Sequence, residues 1–179
     1  KKKITEIDFS NLDTSNVTNM QYMFCLCKEI KTLDLSSFNT SSVTSMHSMF
    51  SGCESLKILN ITSFDTSKVK DMAYMFNNCS SLTDIDLSSF NTINATDMLQ
   101  MFGFCSSLIN LDLSNFNSAK VTDMTFMFDG CSKLTSLDLT SLDTSKVTKM
   151  YATFKECSKL TNLSLGDKFA FVGSDYALP

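Results

Sequence analysis

One feature decides what this chain can fold into: it repeats itself every 26 residues. Six copies run 4–29, 30–55, 56–81, 82–107, 108–133 and 134–159, and a partial seventh opens at Leu160. The first column reads Ile4, Ile30, Leu56, Leu82, Leu108, Leu134, Leu160. Three residues on come Ile7, Leu33, Leu59, Ile85, Leu111, Leu137, Leu163. Two further on come Phe9, Leu35, Ile61, Leu87, Leu113, Leu139, Leu165. The last two columns are two apart, which is strand spacing, so each unit opens with a short strand whose apolar side chains share one face.

An aromatic column follows: Leu12, Phe38, Phe64, Phe90, Phe116, Leu142. Then the period changes. Val17, Met20, Met23, Phe24 and Cys27 stand at i, i+3, i+6, i+7 and i+10, and the set recurs in every copy. That spacing predicts one face of a short helix or 3₁₀ segment over about Val17 to Cys25. Asp13, Asn39, Asp65, Asn91, Asn117 and Asp143 stand before it, residue types that bond their own backbone and cap helix starts. Gly52, Asn78, Gly103 and Gly130 stand where such a helix ends, which suits a left-handed closing residue. Ordering one unit costs more than its own apolar columns return, so a unit cannot fold alone and must stack on its neighbours. This is the physical logic of a solenoid.

Units such as LDLSSFNTSSVTSMHSMFSGCESL resemble the BspA-like leucine-rich repeats of bacterial surface proteins. The combination L-x-x-L-D-L-S, F-N/D-T-S, V-T-x-M, M-F and C-S-x-L carries the resemblance over nearly the whole chain. The resemblance implies a leucine-rich-repeat solenoid, secretion and display at the cell surface, with a role as an adhesin or host-interaction protein. Repeat pattern and resemblance together predict an α/β chain. A parallel sheet of about seven short strands forms one side, and short helices or 3₁₀ segments the other. Residues 1–179 read as a single repeat solenoid, with a C-terminal cap over 160–179 in which Phe169, Phe171 and Val172 fold over the end of the core.

Hydrophobic residues make up 43% of the chain, and nearly all fall in the columns, so the core is one elongated strip. A net charge of −4 with no basic patch argues against a nucleic-acid partner. No apolar run is long enough to span a membrane. The chain opens at Lys1–Lys3, already inside a repeat, and ends without an anchor, so it reads as a segment of a longer protein.

Seven cysteines suggest a disulfide framework, but six of them (Cys27, Cys53, Cys79, Cys105, Cys131, Cys157) fall in one column. Parallel side chains on neighbouring rungs predict a ladder of buried free thiols. A ladder does not converge on a point, so no metal is expected. Cys25, in a mixed column with Ser51 and Lys155, is expected to be exposed.

Two stripes are candidate contact surfaces. The outward strand columns are Asp8, Asp34, Asn60, Asp86, Asp112, Asp138, then Glu6, Thr32, Ile58, Asp84, Asn110, Ser136, then Ser10, Ser36, Thr62, Ser88, Ser114, Thr140. They hold no Lys or Arg. Asp34, Asp84, Asp86, Asp112 and Asp138 are the candidate partner-binding residues, for a basic or hydrogen-bonding protein. The opposing interpretation is that they only keep an exposed sheet soluble. Tyr22, Tyr74 and Phe126, on the outer side of the expected helices, are the rival site; otherwise they are cover over neighbouring coils. A further ladder, Thr14, Thr40, Thr66, Thr92, Ser118 and Thr144, reads as turn and cap bonding rather than an ice-binding array.

Enzyme chemistry lacks its parts. The carboxylates repeat evenly along an open sheet instead of facing across a cleft. The lone histidine, His47, sits in a column shared with Gln21, Leu99 and Tyr151, and there is no phosphate-binding glycine loop. No catalytic residue and no cofactor are expected. The expected function is extracellular: a binding segment of a bacterial cell-surface protein that contacts host or matrix protein. The alternative is a structural spacer that displays another module.

Overall fold

The structure, a computed structural model, describes residues 4–9 and 11–178. Lys1–Lys3 and Ser10 of the columns above lie outside the described residues. Each 26-residue unit makes one coil, and equivalent residues of successive coils lie side by side. β1 (Thr32–Asp34) pairs in parallel with β2 (Ile58–Asn60), Leu33 opposite Leu59. β3 (Ser136–Leu139) pairs with β4 (Asn162–Leu165), Leu137 opposite Leu163. The register is one repeat, so the columns of the sequence are columns in space.

Two expectations are corrected here. The sheet is not seven continuous strands. Among the described residues it is two parallel pairs, and the strand positions of the central coils, 84–87 and 110–113, carry no ladder between them. Nor is there a helix opposite: the described residues contain none. The stretch from Met20 to Cys27 is a ribbon of consecutive turns. Met23 N–H donates to the Met20 carbonyl, Cys25 to Tyr22 and Cys27 to Phe24, each three residues back. The intervening amides cross to the next coil: Met20 to Ser45, Tyr22 to His47, Phe24 to Met49 and Leu26 to Ser51, at 2.7–3.0 Å. A helix keeps its backbone bonds within itself. Here alternate bonds weld neighbouring coils, and this repeats from coil to coil. A chain of parallel bridges, Asn19–Ser45–Asp71–Asp97–Asp123–Lys149, runs beside it. The ribbon side thus carries bonds between all neighbouring coils, while the strand positions of the middle coils form no ladder, although the Ile109 amide reaches the Thr83 carbonyl at 3.0 Å just before them.

What breaks the helix is a pair of left-handed residues per coil. One column is Tyr22, Ser48, Tyr74, Gln100, Phe126 and Ala152, with φ from 50 to 58°. The other is Leu26, Gly52, Asn78, Phe104, Gly130 and Glu156, at 57–76°. Gly52, Asn78 and Gly130 do take the left-handed conformation, but as turn corners. Gly103 does not; it stands one column earlier, and Phe104 takes the corner in its coil. L-residues pay for this conformation at roughly 1–2 kcal/mol. Glu156, exposed at φ 57°, occupies the corner that is glycine in Gly52 and Gly130. Glu156→Gly is expected to stabilise the array by about 1 kcal/mol in urea denaturation. A loss of stability would show that the corner is not strained.

Four ladders run along the axis, three in the interior and the fourth, of Ser63, Ser89, Asn115 and Ser141, at the surface. The rings of Phe24, Phe50, Phe76, Phe102, Phe128 and Phe154 stack at 5.6–6.0 Å with interplanar angles no greater than 17°. Phe9 closes one end, edge-on to Phe24 at 5.6 Å, and Phe171 the other, edge-on to Phe154 at 6.4 Å. The threonine column is buried and bonded to backbone. Thr40 Oγ1 donates to the Asp65 carbonyl at 2.9 Å and accepts from the Asp65 amide at 2.8 Å. The same double bond recurs at Thr14, Thr66, Thr92 and Ser118. Cys53, Cys79, Cys105, Cys131 and Cys157 are buried, and each Sγ donates to a phenylalanine carbonyl of the coil before, as Cys53 does to Phe24 at 3.1 Å. Burial pushes the Cys53 and Cys157 thiols up to about 12. Ser63, Ser89, Asn115 and Ser141 form the fourth ladder, donating to carbonyls such as Leu35 and Leu87 in the preceding coil.

All seven cysteines are free. Cys27 is only half-buried, because among the described residues no coil lies before it to cover it. Cys25, expected to be exposed, is half-buried too. At the other end the tail continues the ladders. Ala170 pairs with Thr144 through both amide and carbonyl, and Ala152 and Phe154 donate to the Asp175 and Tyr176 carbonyls. Phe169, Phe171, Val172 and Tyr176 pack against the core.

Candidate protein-binding surfaces

Asp34 ends β1, Asp138 stands one residue before the end of β3, and Asp86 and Asp112 hold the equivalent positions of the central coils; all four are exposed. In each, Oδ1 accepts the amide two residues on: Ser36 at 3.0 Å, and Ser88, Ser114 and Thr140 at 2.9 Å. This is the Asx turn, and it gives the column a local structural role that its acidity hid. The same spacing recurs at Asp13, Asn39, Asp65, Asn91, Asn117 and Asp143, and again at Asn19, Asp71, Asp97 and Asp123. Each coil thus carries two or three Asx turns. For the strand-face column the signal was present in the sequence as Asx followed two residues later by Ser or Thr, as in D-L-S.

These bonds also set the charge. The Ser36 and Ser114 amides, then their hydroxyls, hold the Asp34 and Asp112 carboxyls below the usual range. At Asp86 and Asp138 the hydroxyls of Ser88 and Thr140 lead, with the amides behind them, in the same direction. The four are therefore anions at neutral pH. Asp34 is bridged to the next coil by Asn60 Nδ2 at 3.0 Å, and Asp84 accepts Thr83 Oγ1 at 2.9 Å.

The structure draws Asp86, Asp112 and Asp138 together in successive coils. Two shallow grooves open between them: one of about 190 Å³ lined by Asp86, Ser88, Asp112 and Asn115, and one of about 250 Å³ lined by Asn110, Asp112, Ser136 and Asp138. They lie where the strand ladder is interrupted. Asp84 stands two residues before Asp86 in the same coil, and Asp34 lies two coils away across Asn60.

The rival residues lie on the turn ribbon, at left-handed corners. Tyr22 is exposed, and Tyr74 and Phe126 are half-buried. They do not form one strip. Tyr22 and Tyr74 are joined through His47, whose ring meets theirs at 5.3 and 5.6 Å. Phe126 stands two coils beyond Tyr74, against Tyr151 at 5.3 Å. His47 Nδ1 lies 3.2 Å from Asp71 Oδ1, and Lys149 Nζ 3.1 Å from Asp123. Asp97 stands between those two aspartates, and burial, with their charges, raises its carboxyl. Reading single columns hid His47 and Asp71, because their contact joins different columns of different coils.

Among the described residues no group of three or more His, Cys, Asp or Glu is placed to hold a metal ion. No helix is long and apolar enough to cross a membrane.

Comparison with solved structures gives a leucine-rich-repeat protein of Bacteroides ovatus, 20% identical, with a TM-score of 0.50 over 88% of this chain and 43% of that one. The chain thus spans less than half the length of the Bacteroides protein. Leucine-rich-repeat proteins of Treponema pallidum and Leptospira interrogans also match, at 17% and 16% identity, each with a TM-score of 0.41. They cover 80% and 79% of this chain and 72% and 38% of their own. At such identities the likeness concerns the fold, a leucine-rich-repeat solenoid. No curated protein matches the chain. A family model matches residues 1–109 and 83–169, so that nearly every coil falls within it, and the chain belongs to the family described as Mycoplasma protein of unknown function, DUF285.

Proposed function

We propose that this chain is a binding segment of a bacterial cell-surface protein, folded as one solenoid over residues 1–179, that adheres to a host or matrix protein through its acidic strand face. One observation carries the reading. Asp86, Asp112 and Asp138 stand exposed in successive coils around two grooves, on columns without a single Lys or Arg. Such a face attracts a basic partner and speeds its encounter. The contact is salt-sensitive, since exposed charges are screened within about 10 Å at 0.1 M salt.

A screen of the chain against host-surface and matrix proteins tests the reading. Changing Asp86 and Asp112 together to Asn keeps the Asx acceptor, as Asn60 shows, so the fold is kept while two charges go. Association with the captured protein is expected to slow about tenfold at low salt, with dissociation little changed. Should affinity survive this double change and vanish with Tyr74→Ala, the ribbon is the contact surface. Should no protein bind, the chain is a spacer.

A further inference from the structure

Asp129 is the one carboxyl among the described residues that is buried: it is 3% exposed, and its Oδ1 has no hydrogen-bond partner. Its column is Cys25, Ser51, Asn77, Gly103, Asp129, Lys155. From Cys25 to Asp129 each of these positions is followed by a residue whose amide reaches the equivalent carbonyl of the next coil. Asn78 N–H meets the Gly103 carbonyl at 2.7 Å, and Gly130 N–H the Lys155 carbonyl at 2.7 Å. Asn77 shows what a side chain does there: its Nδ2 donates to the Gly103 carbonyl at 3.1 Å. A carboxylate in that place has only acceptors to offer to an acceptor. A carboxylic acid has the missing donor.

We propose that Asp129 is held as the neutral acid, its hydroxyl donating to the Lys155 carbonyl as the Asn77 amide donates to Gly103. Loss of that proton is then a pH-sensitive switch at the junction of coils five and six. Coil six presents the Lys155 ammonium and the Glu156 carboxylate to Asp129, and the thiols of Cys131 and Cys157 lie nearby. Coil four brings the Phe104 amide, bound to the Asp129 carbonyl, and no charge. Burial acts most strongly and raises the Asp129 carboxyl; Lys155 opposes it and Glu156 reinforces it. Since the folded value lies above the unfolded one, roughly 3.9, the stabilisation is complete below about pH 4. It is lost as pH rises through the folded value. An anion left there finds no donor at Oδ1 and is only partly offset by Lys155, so coils five and six and the tail docked on them loosen first.

Thermal unfolding of the whole chain from pH 4 to 8, with and without Asp129→Asn, tests this. Asn keeps the donor and cannot titrate. The variant is expected to melt about 2–4 °C higher than wild type at pH 7 to 8, with the two curves converging at pH 4. The remaining carboxyls titrate alike in both, so the difference isolates Asp129. A difference that does not change with pH, or a variant that melts lower throughout, would overturn the proposal. A second readout needs no variant: the side-chain ¹³C carboxyl resonance of Asp129 should titrate well above its aspartate neighbours on the strand face. Titration at or below about 3.9 is equally fatal.

Discussion

Phe76→Ala is expected to destabilise the array by roughly 3–5 kcal/mol in urea denaturation. Phe76 is fully buried and lies mid-stack, with Phe50 and Phe102 each 5.6 Å away and Phe90 at 6.4 Å. Truncation removes a ring that two others lie flat against. The backbone cannot collapse into the space, because its coil spacing is held by the ribbon bonds of Phe50 to Met75 and Phe76 to Met101. Lys146→Ala, at an exposed position, should cost under about 0.5 kcal/mol. Comparable losses from the two substitutions would mean that the phenylalanine ladder is not the core. Because coils contact only their neighbours, hydrogen exchange should show the loss concentrated in coils two to four.

The second large effect concerns a polar group. Thr92→Val, nearly isosteric, is expected to cost about 1–3 kcal/mol, since it strands the Asn117 carbonyl and amide at a part-buried contact. Thr92 is fully buried. Its hydroxyl donates to the Asn117 carbonyl at 2.9 Å and accepts from the Asn117 amide at 2.7 Å. Thr92→Ser should cost less than about 1 kcal/mol, because only a methyl group is lost. Coil five already uses serine there: Ser118 makes the same two bonds to Asp143, both at 2.8 Å. A valine variant as stable as the serine variant would reduce this ladder to cover. The regular threonines are thus interior struts between coils, which accounts for their regularity without any ligand.

The acidic stripe and the aromatic residues were both visible as columns, but their meaning was not. Asp34, Asp86, Asp112 and Asp138 each serve their own coil through an amide two residues on. That bond is local, so the D-x-S spacing held the information. His47 was legible only as a tolerant surface position. Its contacts with Tyr22, Tyr74 and Asp71 join three coils and depend on side-chain reach between columns.

The sequence by itself determined the 26-residue period, the one-repeat register, and which columns are core: Leu33, Phe76, Met98 and Cys105 are all buried where their columns require. A repeat can satisfy burial in only one way, by placing like on like. The tertiary structure alone decided how the backbone between Val17 and Cys27 is bonded. Residues at i, i+3 and i+7 point inward on a helix, and here also on a ribbon of turns, so periodicity does not separate the two. The difference lies in where the amides go. With a neighbouring coil in hydrogen-bond reach, every second N–H donates outward instead of back along its own chain, and the left-handed corners at Tyr22 and Leu26 make that possible. The central strand positions at 84–87 and 110–113 form no ladder, although they share the columns of the strands that do. Where the sheet stays closed and where it opens is a property of the stack, and no single unit encodes it.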